Sequence, residues 1–92
     1  MSITIGRTTF DRVKYDQEAD VLYLHVGDPA TAVDFDESPE GHALRFDAER
    51  RLVGMTIINA RWLLNHDGPL TITIPERVEV EPATLASALT AA

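Results

Sequence analysis

The sequence predicts an α+β fold: an antiparallel β-meander of five to six strands, a short helix after strand five, and a C-terminal segment suited to a second helix. Three observations carry this. Apolar residues recur with period two between Phe10 and Ile58, the spacing of strands with one buried face. The links between these runs are short, and parallel neighbours would need crossovers of a dozen or more residues. After Ile58 the period changes, and one more alternating run follows.

The strands are read in order. In FDRVKYD, Val13 and Tyr15 alternate with Arg12 and Lys14. DVLYLHV is apolar on both faces, with Val21 and Tyr23 against Leu22, Leu24 and Val26, which marks a central strand. TAVDFD points Val33 and Phe35 inward and Asp34 and Asp36 outward; HALRFD does the same with Leu44 and Phe46 against Arg45 and Asp47. RLVGMTII is again apolar on both faces, and Gly54 at its centre suggests a bulge or a close backbone approach. DQEAD, GDPA, ESPEG and DAER are the turns between them.

NARWLLNHDG reads as a helix with Asn59 as N-cap and Gly68 as its stop, packing Trp62 on the sheet. LTITIP is the sixth strand, ended by Pro75, and either a crossover or a simple return reaches it. In the tail over 83–92, Leu85 and Leu89 are spaced i, i+4, which suits a short helix or a frayed end.

Ninety-two residues make one domain, 1–92, with a thin core. Burying apolar area between subunits would add stability. The chain has no cysteine, which removes disulfides and thiolate chemistry and fits a cytoplasmic protein. The first ten residues lack a basic region followed by a long apolar run, so no signal peptide is expected. The apolar runs are too short to span a bilayer.

The net charge is −7, from 15 acids against 8 Lys and Arg. Between Lys14 and Arg45 there is no basic residue apart from histidine, and eight acids fall there. That half should repel nucleic acid and attract a basic partner; its plainer role is a solvated acidic surface. Asp34, Asp36, Glu37 and Glu40 form the candidate partner surface. Arg45, Arg50, Arg51 and Arg61 follow closely and are read as a basic patch opposite the acidic turns, too sparse in aromatics for a nucleic-acid signal.

YDQEADVLYLHV, an acidic turn, and then LRFDAERRLVGMTIINA resemble a bacterial family known as domain of unknown function 2283. The shared positions are Tyr15, Asp16, Glu18, Ala19, Asp20, Leu22 and Tyr23 in the first hairpin, and Asp47, Glu49, Val53, Gly54, Ile57 and Ala60 in the second. The likeness covers roughly Val13 to Leu64, with Met55 standing where the family usually has Ile. It implies no catalytic, cofactor or metal residues. Some relatives are encoded beside small toxin-like proteins, which implies an antitoxin-like role and a basic, toxin-like partner.

The carboxylates Asp16, Glu18 and Asp20 superficially match a calcium loop, but Val21 stands at its glycine and Gly27 at its bidentate glutamate. A turn whose Asp side chains bond nearby amides is the better account. His25, His42 and His66 lack the spacing of a metal motif; His25 and His42 would form a ligand or metal site if their strands met. No serine sits in a nucleophile elbow and no phosphate loop is present. The expectation is therefore a non-enzymatic protein-interaction module, without cofactor, with a small-ligand or metal protein using His25 and His42 as the alternative. Two strands apolar on both faces leave one sheet face to be covered, either by the helices at 60–66 and 83–90 or by a second subunit; the two-fold homodimer is expected.

Overall fold

The computed structural model describes residues 2–67, 70–74 and 76–91. The chain opens with a hairpin of two short strands, β1 (Ile3–Ile5) and β2 (Thr8–Phe10), which the sequence reading passes over. Its strands have three residues each, too few to show a period, yet Ile3, Ile5 and Phe10 are buried. Next come β3 (Arg12–Asp16), β4 (Val21–His25), a 3-10 turn at Pro29–Thr31, β5 (Asp34–Glu37), β6 (Ala43–Phe46) and β7 (Leu52–Ile58). Helix α1 (Ala60–Asp67) follows, then the hairpin β8 (Leu70–Ile74) and β9 (Glu76–Val80), and finally α2 (Pro82–Ala91).

The five strands β3 to β7 form one antiparallel sheet followed by a helix, as expected. Their order is β3-β4-β7-β6-β5, so the chain does not meander from each strand to its neighbour throughout. After β4 it crosses to the far edge, and β5, β6 and β7 return by hairpins until β7 lies beside β4. The composition of the strands explains this. β7 is apolar on both faces, and a simple meander would leave it at an edge. Between β4 and β6 it is shielded on both sides, while the edge goes to β5, whose Asp34, Asp36 and Glu37 discourage further strand pairing.

One face of the sheet bears the core. Leu22, Leu24, Leu44, Met55 and Ile57 meet Ile3, Ile5 and Phe10 of the first hairpin, Ile72 and Val80 of the last, and Leu85, Ala88 and Leu89 of α2. The tail is thus a helix, held by its i, i+4 leucines. The chain also pairs beyond residue 75, where a stop is expected: Val78 and Val80 continue the alternation as β9. Gly68 and Pro75, read as terminators, lie outside the described residues. No helix among the described residues is long and apolar enough to cross a membrane.

The other face is open. Reading across β3, β4, β7, β6 and β5, one row holds Lys14, Tyr23, Thr56, Ala43 and Glu37, and the next holds Arg12, His25, Gly54, Arg45 and Phe35. Val33 and Phe35, expected inward, are 55% and 70% exposed. The register places Phe35 opposite Arg45, whose guanidinium lies 5.7 Å from the ring centroid. Trp62 is likewise not packed on the sheet: it is exposed and stacks on His66, with ring centroids 4.3 Å apart, while Leu63 and Leu64 face the core.

Candidate functional site

The signature residues of the two hairpins converge on backbone amides. The Asp16 carboxylate accepts from the amides of Glu18 (3.1 Å) and Ala19 (3.2 Å), closing the β3–β4 turn. Glu18 is exposed at its tip. Asp20 acts at a distance. Its carbonyl accepts from the Ala60 amide (3.1 Å), and its carboxylate accepts from the amides of Arg61 (2.8 Å) and Trp62 (3.2 Å). Asp20 is therefore the side-chain cap of α1, supplied from the neighbouring turn. Asn59, expected in that role, contributes its carbonyl to the Leu63 amide.

Tyr15 completes this junction. Its hydroxyl donates to Asp20 (2.8 Å), and Arg61 lies over its ring, 5.5 Å from the centroid. Burial works to raise the Asp20 pKa; the Arg61 amide, the Tyr15 hydroxyl, the Trp62 amide and the Arg61 charge outweigh it and hold the carboxyl below the usual range.

Asp47 repeats the device in the β6–β7 turn. It accepts from the amides of Arg51 and Glu49 and from the Arg51 Nε, each at 2.9 Å. The Arg51 amide is the main cause of its lowered pKa. Gly54 follows a bulge: Arg45 pairs with Gly54 and Phe46 with Leu52, leaving Val53 as the extra residue. These family positions thus build turns and a helix junction; Tyr23 alone among them stands exposed on the open face.

The acidic candidates divide between two sides. All four residues of β5 are exposed. Glu37 and Phe35 belong to the open face, whereas Asp34 and Asp36 lie on the other side of the edge, opposite Phe46 and Leu44, and Glu40 sits in the following turn. The arginines do not form the expected patch. Arg45 is over Phe35, Arg61 over Tyr15, and only Arg50 and Arg51 stay together, joined across a shallow groove by Arg7. Arg7 belongs to the unforeseen first hairpin, so no sequence signal pointed to it.

His25 and His42 are not brought together. His25 pairs with Gly54, and the His42 ring accepts from the Ile58 amide, four residues along β7, about 13 Å away at strand spacing. Among the described residues no group of three or more His, Cys, Asp or Glu is placed to hold a metal ion. Each imidazole is absorbed locally. The His25 Nδ1–H donates to the Val26 carbonyl (2.9 Å), which leaves Nε2 buried without a partner, and His66 bonds the Trp62 carbonyl (2.7 Å).

His42 is buried, and burial lowers its pKa, with Glu40 pulling weakly the other way. The unfolded chain therefore takes up a proton near the ordinary histidine value while the folded one does not. Stability should fall as pH drops through about 6.5 and continue to fall until the folded pKa is passed. Urea midpoints at about pH 7.5 and about pH 5.5 will show this slope. His42→Asn, which retains an acceptor for Ile58, is expected to flatten it; an unchanged slope would assign it to other groups.

No curated protein and no solved structure matches the chain. The family match runs from residue 12 to residue 61, from the first residue of β3 to the second of α1. It takes in the whole five-stranded sheet and ends at Arg61, the first of the two residues whose amides the Asp20 carboxylate caps. The chain belongs to the family described as protein of unknown function (DUF2283).

Proposed function

We propose that the protein is a non-enzymatic interaction module that works through the open face and the β5 edge of its sheet, assembling with itself and with a basic partner protein. One observation carries this reading: Tyr23, Ile58 and Phe35 are 40%, 40% and 70% exposed on a single sheet face, where a water-facing sheet ordinarily alternates to polar residues. Large apolar side chains gathered on one surface mark contact sites. The β5 edge adds Asp34, Asp36 and Glu37, all exposed, on a chain of net charge −7. Such an edge suits a basic protein and speeds its encounter. An antitoxin-like role is the form of this reading that the family resemblance implies.

The test is a tagged pull-down from the host lysate at moderate salt, with the double variant Asp34→Lys/Asp36→Lys as control. Both residues lie on the side of β5 away from the open face, so the substitution leaves that face intact. A basic protein recovered in near-equal amount by the wild type and lost with the variant is the expected result. Recovery of the same proteins by both would remove the acidic edge from the proposal.

A further inference from the structure

We infer that the occupant of the open face is a second copy of the chain, docked about a two-fold axis that runs parallel to β7. The inference rests on the interaction-module reading and specifies the partner of that face. Its basis is the order of charges across the sheet. The β3 edge presents Arg12 and Lys14, the middle presents Tyr23, Thr56, Ile58 and Ala43, and the β5 edge presents Phe35 and Glu37. The face is therefore basic at one edge, largely uncharged in the middle apart from Arg45, and acidic or aromatic at the other edge. Neither Lys14 nor Glu37 forms an ion pair with a described residue.

Of the two-fold axes lying in the plane of the face, two keep the strands of both copies aligned, and the charges choose between them. An axis perpendicular to the strands stacks β3 on β3 and β5 on β5. It brings Lys14 towards the partner's Lys14 and Glu37 towards the partner's Glu37, which is repulsive. An axis parallel to β7 turns the sheet over while keeping the rows in step. Then β3 of each copy meets β5 of the other, so Lys14 faces the partner's Glu37 and Arg12 faces the partner's Phe35. Within the same rows, Tyr23 comes against the partner's Ala43, a large side chain on a small one. Thr56 and Ile58 of β7 lie at the axis and meet their own copies. Each charged contact occurs twice, as an isologous interface requires.

The size of the face sets the strength. Five strands at their usual spacing span about 24 Å, and five residues run about 17 Å along each. Stacking two such faces covers about 400 Å² on each, roughly 800 Å² in all, which is the size of a weak, transient association. The dimer should therefore dissociate reversibly on dilution, in the micromolar range, and weaken with salt.

Sedimentation velocity over a wide concentration range, on the full chain, tests this. Wild type should show a concentration-dependent monomer–dimer equilibrium. Lys14→Glu alone and Glu37→Lys alone should each weaken it by about tenfold or more, by placing like charges together in two symmetric contacts. The double variant Lys14→Glu/Glu37→Lys should restore it, because the pairs are re-formed with signs exchanged. Both positions are exposed, and circular dichroism confirms that each variant folds. Tyr23→Glu, at the centre of the face, should leave a monomer. A monomer at all concentrations would overturn the inference, and so would a dimer indifferent to Tyr23→Glu or a double variant no better than either single one. A monomer would also remove self-assembly from the proposed function, but none of these outcomes touches the capture of a basic partner through Asp34 and Asp36, which the pull-down tests on its own.

Discussion

Asp20→Ala is expected to lower stability by about 2 kcal/mol, which at this chain length moves the melting temperature by roughly 10 °C. Three losses coincide in that substitution. Two amides in the first turn of α1 lose the carboxylate they share, an N-cap deletion worth about 0.5–2 kcal/mol. The Tyr15 hydroxyl loses its acceptor at 2.8 Å. Finally, Asp20 sits at φ 55°, a left-handed conformation that Asp and Asn tolerate and that alanine adopts at a penalty. Companion variants separate the terms. Asp20→Asn keeps a side-chain acceptor and the backbone tolerance, so it should be the mildest. Asp20→Gly removes the cap and relieves the backbone. Asp20→Ala suffers from both and should be the worst.

Urea unfolding of the three variants gives the ranking, and hydrogen exchange in α1 gives the location. A loss confined to the first turn of α1 is expected at low urea. If Asp20→Ala lies within about 0.5 kcal/mol of wild type, the junction is not what holds α1 to the sheet. Acid provides an independent check. The folded pKa of Asp20 is depressed, so its contribution is fully present above the unfolded carboxylate value of about 3.9 and is lost as pH falls through the folded one. Asp20→Asn should remove that part of the acid sensitivity.

The junction also shows what a sequence reveals and what it conceals. Asp16 is legible: an Asp two or three residues before amides of its own turn is local chemistry, and the structure places it so. Asp20 is not, because its partners are 41 and 42 residues away, and nothing in DQEAD points to them. The same division runs through the fold. The strands β3 to β7, α1 and β8 follow from periodicity. For the tail, the i, i+4 leucines leave a helix and a frayed end both open, and packing against the core makes it α2. The strand order does not follow from periodicity, since alternation determines which side chains share a face but leaves open which strand is the neighbour. Phe35 faces outward, against expectation, because alternation alone does not say which face of an edge strand is covered. The turn reading of the carboxylates holds for Asp16, whose side chain bonds amides of its own turn, while His25 and His42 stand four residues apart along β7 and do not meet.

Gly54 is the other position where a small change should have a large effect. In an ordinary strand, replacing glycine with alanine stabilises by about 0.5–1 kcal/mol, because glycine loses more freedom on folding. Gly54 should do the opposite. A Cβ built there would lie 2.9 Å from the His25 Cδ2, 3.1 Å from the Arg45 Cβ and 3.2 Å from the Arg45 Cδ. The first is closer than real side chains approach one another, and the imidazole is not a free end that can swing aside. It is 8% exposed and tied to the Val26 carbonyl at 2.9 Å. The Arg45 Cβ is fixed to the neighbouring strand, and its guanidinium lies over Phe35. Overpacking of this kind costs about 1–3 kcal/mol, which exceeds the gain from removing glycine, so Gly54→Ala should destabilise. Gly54→Val, with two more methyl groups in the same space, should be worse still. A double-mutant cycle with His25→Ala identifies the clash: removing the imidazole opens the nearest contact, so the combined loss should be smaller than the sum of the single losses. Additivity would mean that the strain lies instead in the Arg45 Cβ and the β6 backbone. A stabilised Gly54→Ala would show that the imidazole yields readily and that close packing at the centre of the open face is not what excludes a side chain there.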